Sequence, residues 1–384
     1  MYEVSNKKEM SLIAQGSIKF GLDLYNRLTK PGENAVFSSY SVSSVLSMAS
    51  MGAKGSTLQE MREALHLPED VTQLQKAYSS FTALLDSKEN SSVTLETAHG
   101  LFPSNKTKVH ENYVQDVLKY FSSDVQSIDY INTQAASNHL NEWVSSKTHD
   151  NIKDLFSKES IDPDTAAVLI DAIYFKGTWL DKFDPVMTRD AAFHVSPETL
   201  VQAPTMFAEM DIETCYSEDL KCDIFALPYK GNRLSMIIFL PKERFGLEEL
   251  ENKLLSKTVF PLNDLSTSKV EVYLPKFKIE TKHDIKDALQ KQGVRDLFLR
   301  GTCDVSGIAG EPKELFVSEV VQKAMIEVNE EGTEAAAATM MQITPCCLVF
   351  RDKLVVDHPF AFMIRDNLTE LIIFNGRIIN PVAK

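Results

Sequence analysis

The apolar pattern changes character once along this chain, and that change constrains the fold more than any other feature. Early on, the spacing is helical. From Ser11 to Lys30, Leu12, Ile13, Ile18, Leu22, Tyr25 and Leu28 recur near the 3.6 period, and Pro31-Gly32 stops them. A second helix is predicted from near Ser41 through VSSVLSMASMGA. A third covers STLQEMREALHL, where Thr57 and Glu60 have capping-box spacing. The segment QAASNHLNEWVSSKTHDNIKDLF predicts an amphipathic helix followed by a short one. The second half instead carries short β-rich runs bounded by Pro, Gly, Asn or Asp: AAVLIDAIYF, RLSMIIFLP, KVEVYLPKFKIE, DHPFAFMIRD and ELIIFNGRIINP. Gly231-Asn232 reads as a hairpin turn. Helices first and strands later, with no regular βα alternation, predict an α+β fold with mixed or antiparallel sheets.

The 384 residues suggest two domains or one unusually large fold, and no Pro/Gly/Ser-rich linker or repeat divides them. An apolar fraction of 43% is ample for a core and excludes wholesale disorder. No apolar run is long enough for a transmembrane helix. A net charge of −14 argues against a nucleic-acid or heparin surface, and Gln73 to Asp86 offers only Lys76 as a basic group. The N-terminus shows no apolar h-region, which favours a cytoplasmic location, or an extracellular one if a signal was removed. Five cysteines, Cys346 and Cys347 adjacent, read more simply as free thiols than as a disulfide framework. Cys215, Cys222 and Cys303 fit no zinc spacing, and no cofactor is implied. The sequons at Asn90, Asn105 and Asn367 do not discriminate.

Residues 327–347, EVNEEGTEAAAATMMQITPCC, fit no ordinary element. An alanine-rich surface helix is the plain reading. Against it stand Gly332 before the run, β-branched Thr339 and Ile343, and Pro345 at its close. Read with period two, Thr333, Ala335, Ala337, Thr339, Met341, Ile343 and Pro345 share one uncharged face that is small at its start; Glu334, Ala336 and Ala338 lie on the other. Such a segment suits a strand that enters late between two packed strands, where a charge or bulk would be left unsolvated or clash.

Glu330-Glu331-Gly332-Thr333-Glu334-Ala335-Ala336-Ala337-Ala338-Thr339 resembles the hinge of inhibitory serpins, and the resemblance runs through nearly the whole chain. Phe37-Ser38 with Ser41, Asn141-Glu142-Trp143-Val144 with Ile152, and Asp171 to Trp179 each resemble serpin signature segments in order. So do Leu227 to Gly231, Leu274 to Phe277, Asp357 to Phe360 and Phe374 to Arg377. The resemblance implies a single domain over 1–384, with a helix-rich first half packed on three mixed or antiparallel sheets and an exposed reactive-centre loop at about 330–356. It also implies a suicide-substrate inhibitor of proteases that acts as a monomer. By the family's spacing from Gly332, the scissile carbonyl belongs to Cys346, with Cys347 on the leaving side; a small apolar side chain there suits elastase-like or chymotrypsin-like pockets, and cysteine proteases stay open. The competing reading makes Cys346-Cys347 mere loop or a redox-sensitive pair.

Ser38, Ser41, Asp171, Trp179 and Gln322 fall on the positions that control opening of the main sheet in the family. Asp171 and Gln322 depart from the family's usual Asn and His, and a hydrogen bond between them is expected. A serpin-fold protein without inhibition (storage, chaperone or carrier) is the alternative; such members usually break the hinge, and this chain keeps it. An enzyme is not expected: no G-x-S-x-G, H-E-x-x-H, Walker or dinucleotide motif is present, and a Cys346/His358 dyad lacks a third orienting group. Trp143, Trp179 and His358 are expected to be structural.

Overall fold

The computed structural model describes residues 2–85, 93–257, 260, 262–331 and 352–383. Its helices are α1 (Tyr2–Leu28), α2 (Ser39–Ser50), α3 (Gly55–Leu65), α4 (Val71–Leu85), α5 (Glu111–Phe121), α6 (Thr133–Lys147), α7 (Leu247–Leu255) and α8 (Lys286–Lys291). Among these helices none is long and apolar enough to cross a membrane. Strands β1 (Ala35–Phe37), β2 (Val93–Pro103), β3 (Asp124–Val125) and β4 (Ala167–Gly177) lie among the helices. Then follow β5 (Arg189–Ser196), β6 (Thr199–Ser217), β7 (Cys222–Pro228), β8 (Leu234–Pro241), β9 (Ser266–Pro275) and β10 (Phe277–Asp284). The last four are β11 (Glu319–Val328), β12 (Asp352–Val355), β13 (Phe360–Asp366) and β14 (Ile372–Ile378).

The strands form two hydrogen-bonded networks. One is a five-stranded sheet in the order β10-β11-β4-β2-β3; the other runs β1-β14-β13-β8-β7-β6-β9-β12, with β5 beside β6. The long β6 pairs with β9 through Thr205–Thr214 and with β7 through Glu213–Ser217, which joins two expected sheets into one. Between the networks, Ile173 and Phe175 of β4 and Ala324 and Ile326 of β11 pack with Phe225, Ile238, Phe362 and Phe374. Helix α2, which carries no charged residue, is buried along its whole length, and Ser38 caps it by accepting from the Ser41 amide at 3.0 Å.

Two local expectations change. Helix α3 begins at Gly55 behind Lys54, and its expected cap residues serve tertiary bonds. The Glu60 carboxylate accepts from the Arg295 and Asp296 amides at 2.7 and 2.8 Å, and the Thr57 hydroxyl accepts from the Asp304 amide at 3.0 Å. No short helix follows α6 before residue 158: His149, Asp150 and Asp154 have positive φ, and the chain crosses the five-stranded sheet as an extended strap.

Candidate functional site: the seam between β4 and β11

Strands β4 and β11 are parallel neighbours paired from Glu319↔Val168 to Ile326↔Phe175, with nothing between them. Their outer neighbours, β2 and β10, run antiparallel to them. Four opposed residues make a row across the sheet: His99 on β2, Asp171 on β4, Gln322 on β11 and His283 on β10. Directly opposed residues point to the same side, so all four face inward, and all are buried.

The expected bond between Asp171 and Gln322 is present and crosses the seam. Gln322 Nε2 donates to Asp171 Oδ2 at 2.5 Å and to the Ser38 carbonyl at 3.0 Å, while its Oε1 accepts from the Ser38 amide at 3.0 Å. Ser38 thereby fixes which way the Gln322 amide points. The Ser41 hydroxyl donates to Asp171 Oδ1 and lies 2.7 Å from His99 Nε2. Burial pushes the Asp171 carboxyl up to about 7 against the bonds from Ser41 and Gln322, and burial pushes His99 down to about 4. Between those values the folded pair binds one proton, on Asp171; unfolded, the pair binds one on His99 up to about pH 6.5. The pair's contribution to the pH dependence of unfolding therefore nearly cancels.

At the top of the seam the chain leaves β11 under an aromatic cap. Trp179 Nε1 donates to the Asn329 carbonyl at 2.9 Å, and its ring stacks on Tyr229 with centroids 4.5 Å apart. A Cβ at Gly177 would lie 2.5 Å from the Tyr229 ring, so the stack needs glycine there. Glu330 is buried. Its carbonyl accepts from the Phe183 amide at 3.2 Å, and its carboxylate meets Thr188 Oγ1 at 2.8 Å and Lys276 Nζ at 2.7 Å. Burial raises the Glu330 carboxyl, but the bonds from Lys276, its own backbone and Thr188 outweigh it and leave it lowered. The Glu331 amide donates to Asn329 Oδ1 at 3.2 Å.

Helix α6 and the strap after it roof the seam. Ala136, Leu140, Val144, Leu155 and Phe156 pack on β4 (Ile170, Ala172, Tyr174) and on β11 (Val321, Met325) together. Lys323 on β11 donates to the Lys153 carbonyl and Lys282 on β10 to the Leu155 carbonyl, both at 2.5 Å.

Sequence reasoning named Ser38, Ser41, Asp171, Trp179, Gln322, Glu330 and Glu331, and the structure brings them to one seam. Gly332, Thr333, Glu334, Ala335, Ala336, Ala337, Ala338, Thr339, Cys346 and Cys347 lie outside the described residues. Three site residues were missed: His99, Lys282 and Lys323. Period two in TLETAHGLF puts His99 on the same face as buried Leu101, a usable signal; its register against Asp171 is not encoded locally. Trp143 is structural: buried, it donates to Asp124 at 2.7 Å. His358 is buried with Nδ1 on Asp357 at 2.6 Å and Nε2 on the Pro241 carbonyl at 2.9 Å. Cys222 and Cys303 are buried free thiols, raised to about 12 by burial, and no metal-ligand cluster exists among the described residues.

A family model described as serpin (serine protease inhibitor) matches residues 15–381. The chain is a serpin. This serpin is 35% identical to leukocyte elastase inhibitor A of Mus musculus over 382 residues, covering 97% of this chain and 100% of the relative. It is 38% identical to a serine protease inhibitor of Drosophila melanogaster over 362 residues, 94% of this chain and 95% of that one. Among solved structures, a highly specific serpin of the insect Tenebrio molitor matches with a TM-score of 0.85 at 31% identity, over 99% of both chains. Uncleaved ovalbumin matches with a TM-score of 0.84 at 28% identity, over 96% of this serpin and 100% of that chain.

Proposed function

We propose that this serpin inhibits serine proteases as a suicide substrate. One observation carries the reading: β4 and β11 are parallel, directly paired and followed at once by the hinge sequence. A segment that turns back from the end of β11 and enters between them is antiparallel to both. One parallel ladder is replaced by two antiparallel ladders, the slightly stronger kind of pairing. The entering face, Thr333, Ala335, Ala337 and Thr339, brings no charge into the buried space between the sheets.

In the proposed reaction the protease serine oxygen bonds to the Cys346 carbonyl carbon, and the Cys346–Cys347 amide breaks with the Cys347 amine leaving. The hinge is then free of the downstream chain and inserts with the acyl-linked protease attached. Displacement of reacting groups by about 1 Å already costs ~10²-fold in rate, so dragging the protease across the sheet stalls deacylation. The named relatives, inhibitors of leukocyte elastase, support elastase-like or chymotrypsin-like targets. The test is incubation with a panel of serine and cysteine proteases, read by SDS gel and by mass of the released peptide. An SDS-stable complex and a peptide starting at Cys347 are expected. Cleavage without a complex makes the chain a non-inhibitory serpin, and a different peptide start moves the bond.

A further inference from the structure

We infer that the Asp171–Gln322 bond is a proton-operated latch, so that the seam between β4 and β11 opens more readily as Asp171 takes up a proton through His99 and Ser41. The inference rests on the insertion reading above and names its regulation. Geometry carries it. The bond joins two strands that separate on insertion, whereas His99 and Ser41 stay on the β4 side of the seam.

The groups around Asp171 among the described residues are Ser41 from α2, His99 from β2 and Gln322 from β11, with Ser38, the N-cap of α2, on Gln322 and His283 of β10 one strand further. His283 is held by its Nε2 at 3.0 Å from the Val36 carbonyl and is lowered by burial. Among the described residues, only Asp171 and His99 are thus placed to exchange a proton with the latch.

With Asp171 ionised, Ser41 donates to it and therefore accepts from His99 Nε2–H. A proton arriving at His99 Nδ1 can pass down this line: Nε2–H moves to Ser41 Oγ, and the Ser41 proton moves to Asp171 Oδ1. His99 is neutral before and after, Asp171 ends neutral, and each group in the line keeps a donor–acceptor match. On the other side Gln322 cannot adapt, because Ser38 fixes its amide. Its bond to Asp171 changes from charge-assisted to neutral, which is roughly half as strong. Opening removes Gln322, a donor that favours the carboxylate, and leaves the carboxyl under α2. Asp171 is therefore more basic in the open sheet, and opening takes up a fraction of a proton.

The test uses intact protein and a fluorescent, N-acetylated and C-amidated peptide with the sequence of residues 333–343, in which only Glu334 titrates, below the range used. The rate at which the peptide anneals into the sheet is measured from pH 8.5 to 5.5 at fixed ionic strength. Expected is a rise of about fivefold with a one-proton midpoint at or above neutrality, and a flat profile for Asp171→Asn. Annealing at a pH-independent rate overturns the latch and leaves insertion standing, as does an Asp171→Asn profile that matches the wild type. No annealing at any pH overturns insertion and the latch with it. Carbon-13 NMR of the Asp171 carboxyl in wild-type protein supplies an arm free of any substitution. A titration that moves to higher pH on annealing supports the latch, and one that stays put or moves lower overturns it.

Discussion

Cutting the chain between Cys346 and Cys347 should raise its melting temperature by about 10 °C. The size follows from the seam. The ladder between β4 and β11 spans eight residue pairs, Glu319↔Val168 to Ile326↔Phe175. A strand of that length makes roughly eight backbone bonds with each neighbour while the parallel ladder loses about the same number as one side gains. The net is about eight bonds at ~0.5–1.5 kcal/mol, hence ~8 kcal/mol before any apolar burial. Unfolding entropy near ~2.1 cal/mol/K per residue gives about 0.8 kcal/mol/K for this length, and the quotient is about 10 °C. Differential scanning calorimetry of intact and nicked protein, the nick verified by mass, reads the shift directly. Apolar burial by the inserted strand adds to this figure, and the conformational entropy of ordering it, ~1–2 kcal/mol per residue, subtracts from it. A nicked form that melts at or below the intact one removes the stored free energy on which the proposed mechanism depends.

Ala335→Arg should turn inhibitor into substrate, because insertion would carry an unpaired charge into the space between the sheets; the complex band on SDS gels should give way to cleaved protein. Cys346→Arg should move the preference toward trypsin-like proteases, measured as second-order inhibition rates against trypsin and elastase. Glu330→Lys sets two cations together at Lys276 and frees the top of the seam, at ~1–2 kcal/mol given that Lys276 is partly exposed; a lower urea midpoint for the intact protein checks it. Asp171→Asn exposes the titration of His99 alone. A histidine whose folded value is depressed contributes stability above its unfolded value that is lost as pH falls, so this variant should lose up to ~1.4 kcal/mol per pH unit below about pH 6.5. His99→Gln should show the reverse, gaining stability as pH falls below about 7, while the wild type stays nearly flat; urea midpoints between pH 5 and 8 decide.

Elements whose partners lie close in sequence were legible, and the rest were not. The Gly231-Asn232 turn is encoded in two residues, and both take positive φ between β7 and β8. The run over Leu234–Pro241 is apolar but for Ser235 and buried throughout because both its faces are covered, which makes a central strand recognisable. The strap after α6 misled for a physical reason. Ile152, Leu155 and Phe156 have helical spacing, yet they are buried by lying across β4 and β11, and burial rather than helix formation sets that pattern. Thr57 and Glu60 misled similarly, since a carboxylate three residues after a hydroxyl serves equally for a cap and for the amides of Arg295 and Asp296. The Asp171–Gln322 bond was legible only through family resemblance. His99 was not, because the register that puts it beside Asp171 depends on strands more than seventy positions apart.

A sheet poised to accept a strand must be held by contacts that together outweigh thermal opening but fall short of what insertion releases. The seam is held by several modest locks. The Gln322 bond to a carboxylate is of the ~1.5–3 kcal/mol kind, and the partly exposed Lys276–Glu330 pair adds ~1 kcal/mol. The two lysine bonds to the strap contribute at a similar scale, since each pairs a cation with a carbonyl. Their sum, roughly 5–10 kcal/mol, is of the same order as the ~8 kcal/mol estimated for the inserted strand's bonds. The locks also fail separately. Salt screens the pair at the top, protonation weakens the bond in the middle, and movement of α6 releases the strap. In the proposed mechanism a single strong lock would leave a cut hinge waiting outside the sheet while the protease deacylates. Several weak ones, met in order from the top of the seam downward, let each inserted residue pair offset the next contact to be broken, so insertion outruns hydrolysis.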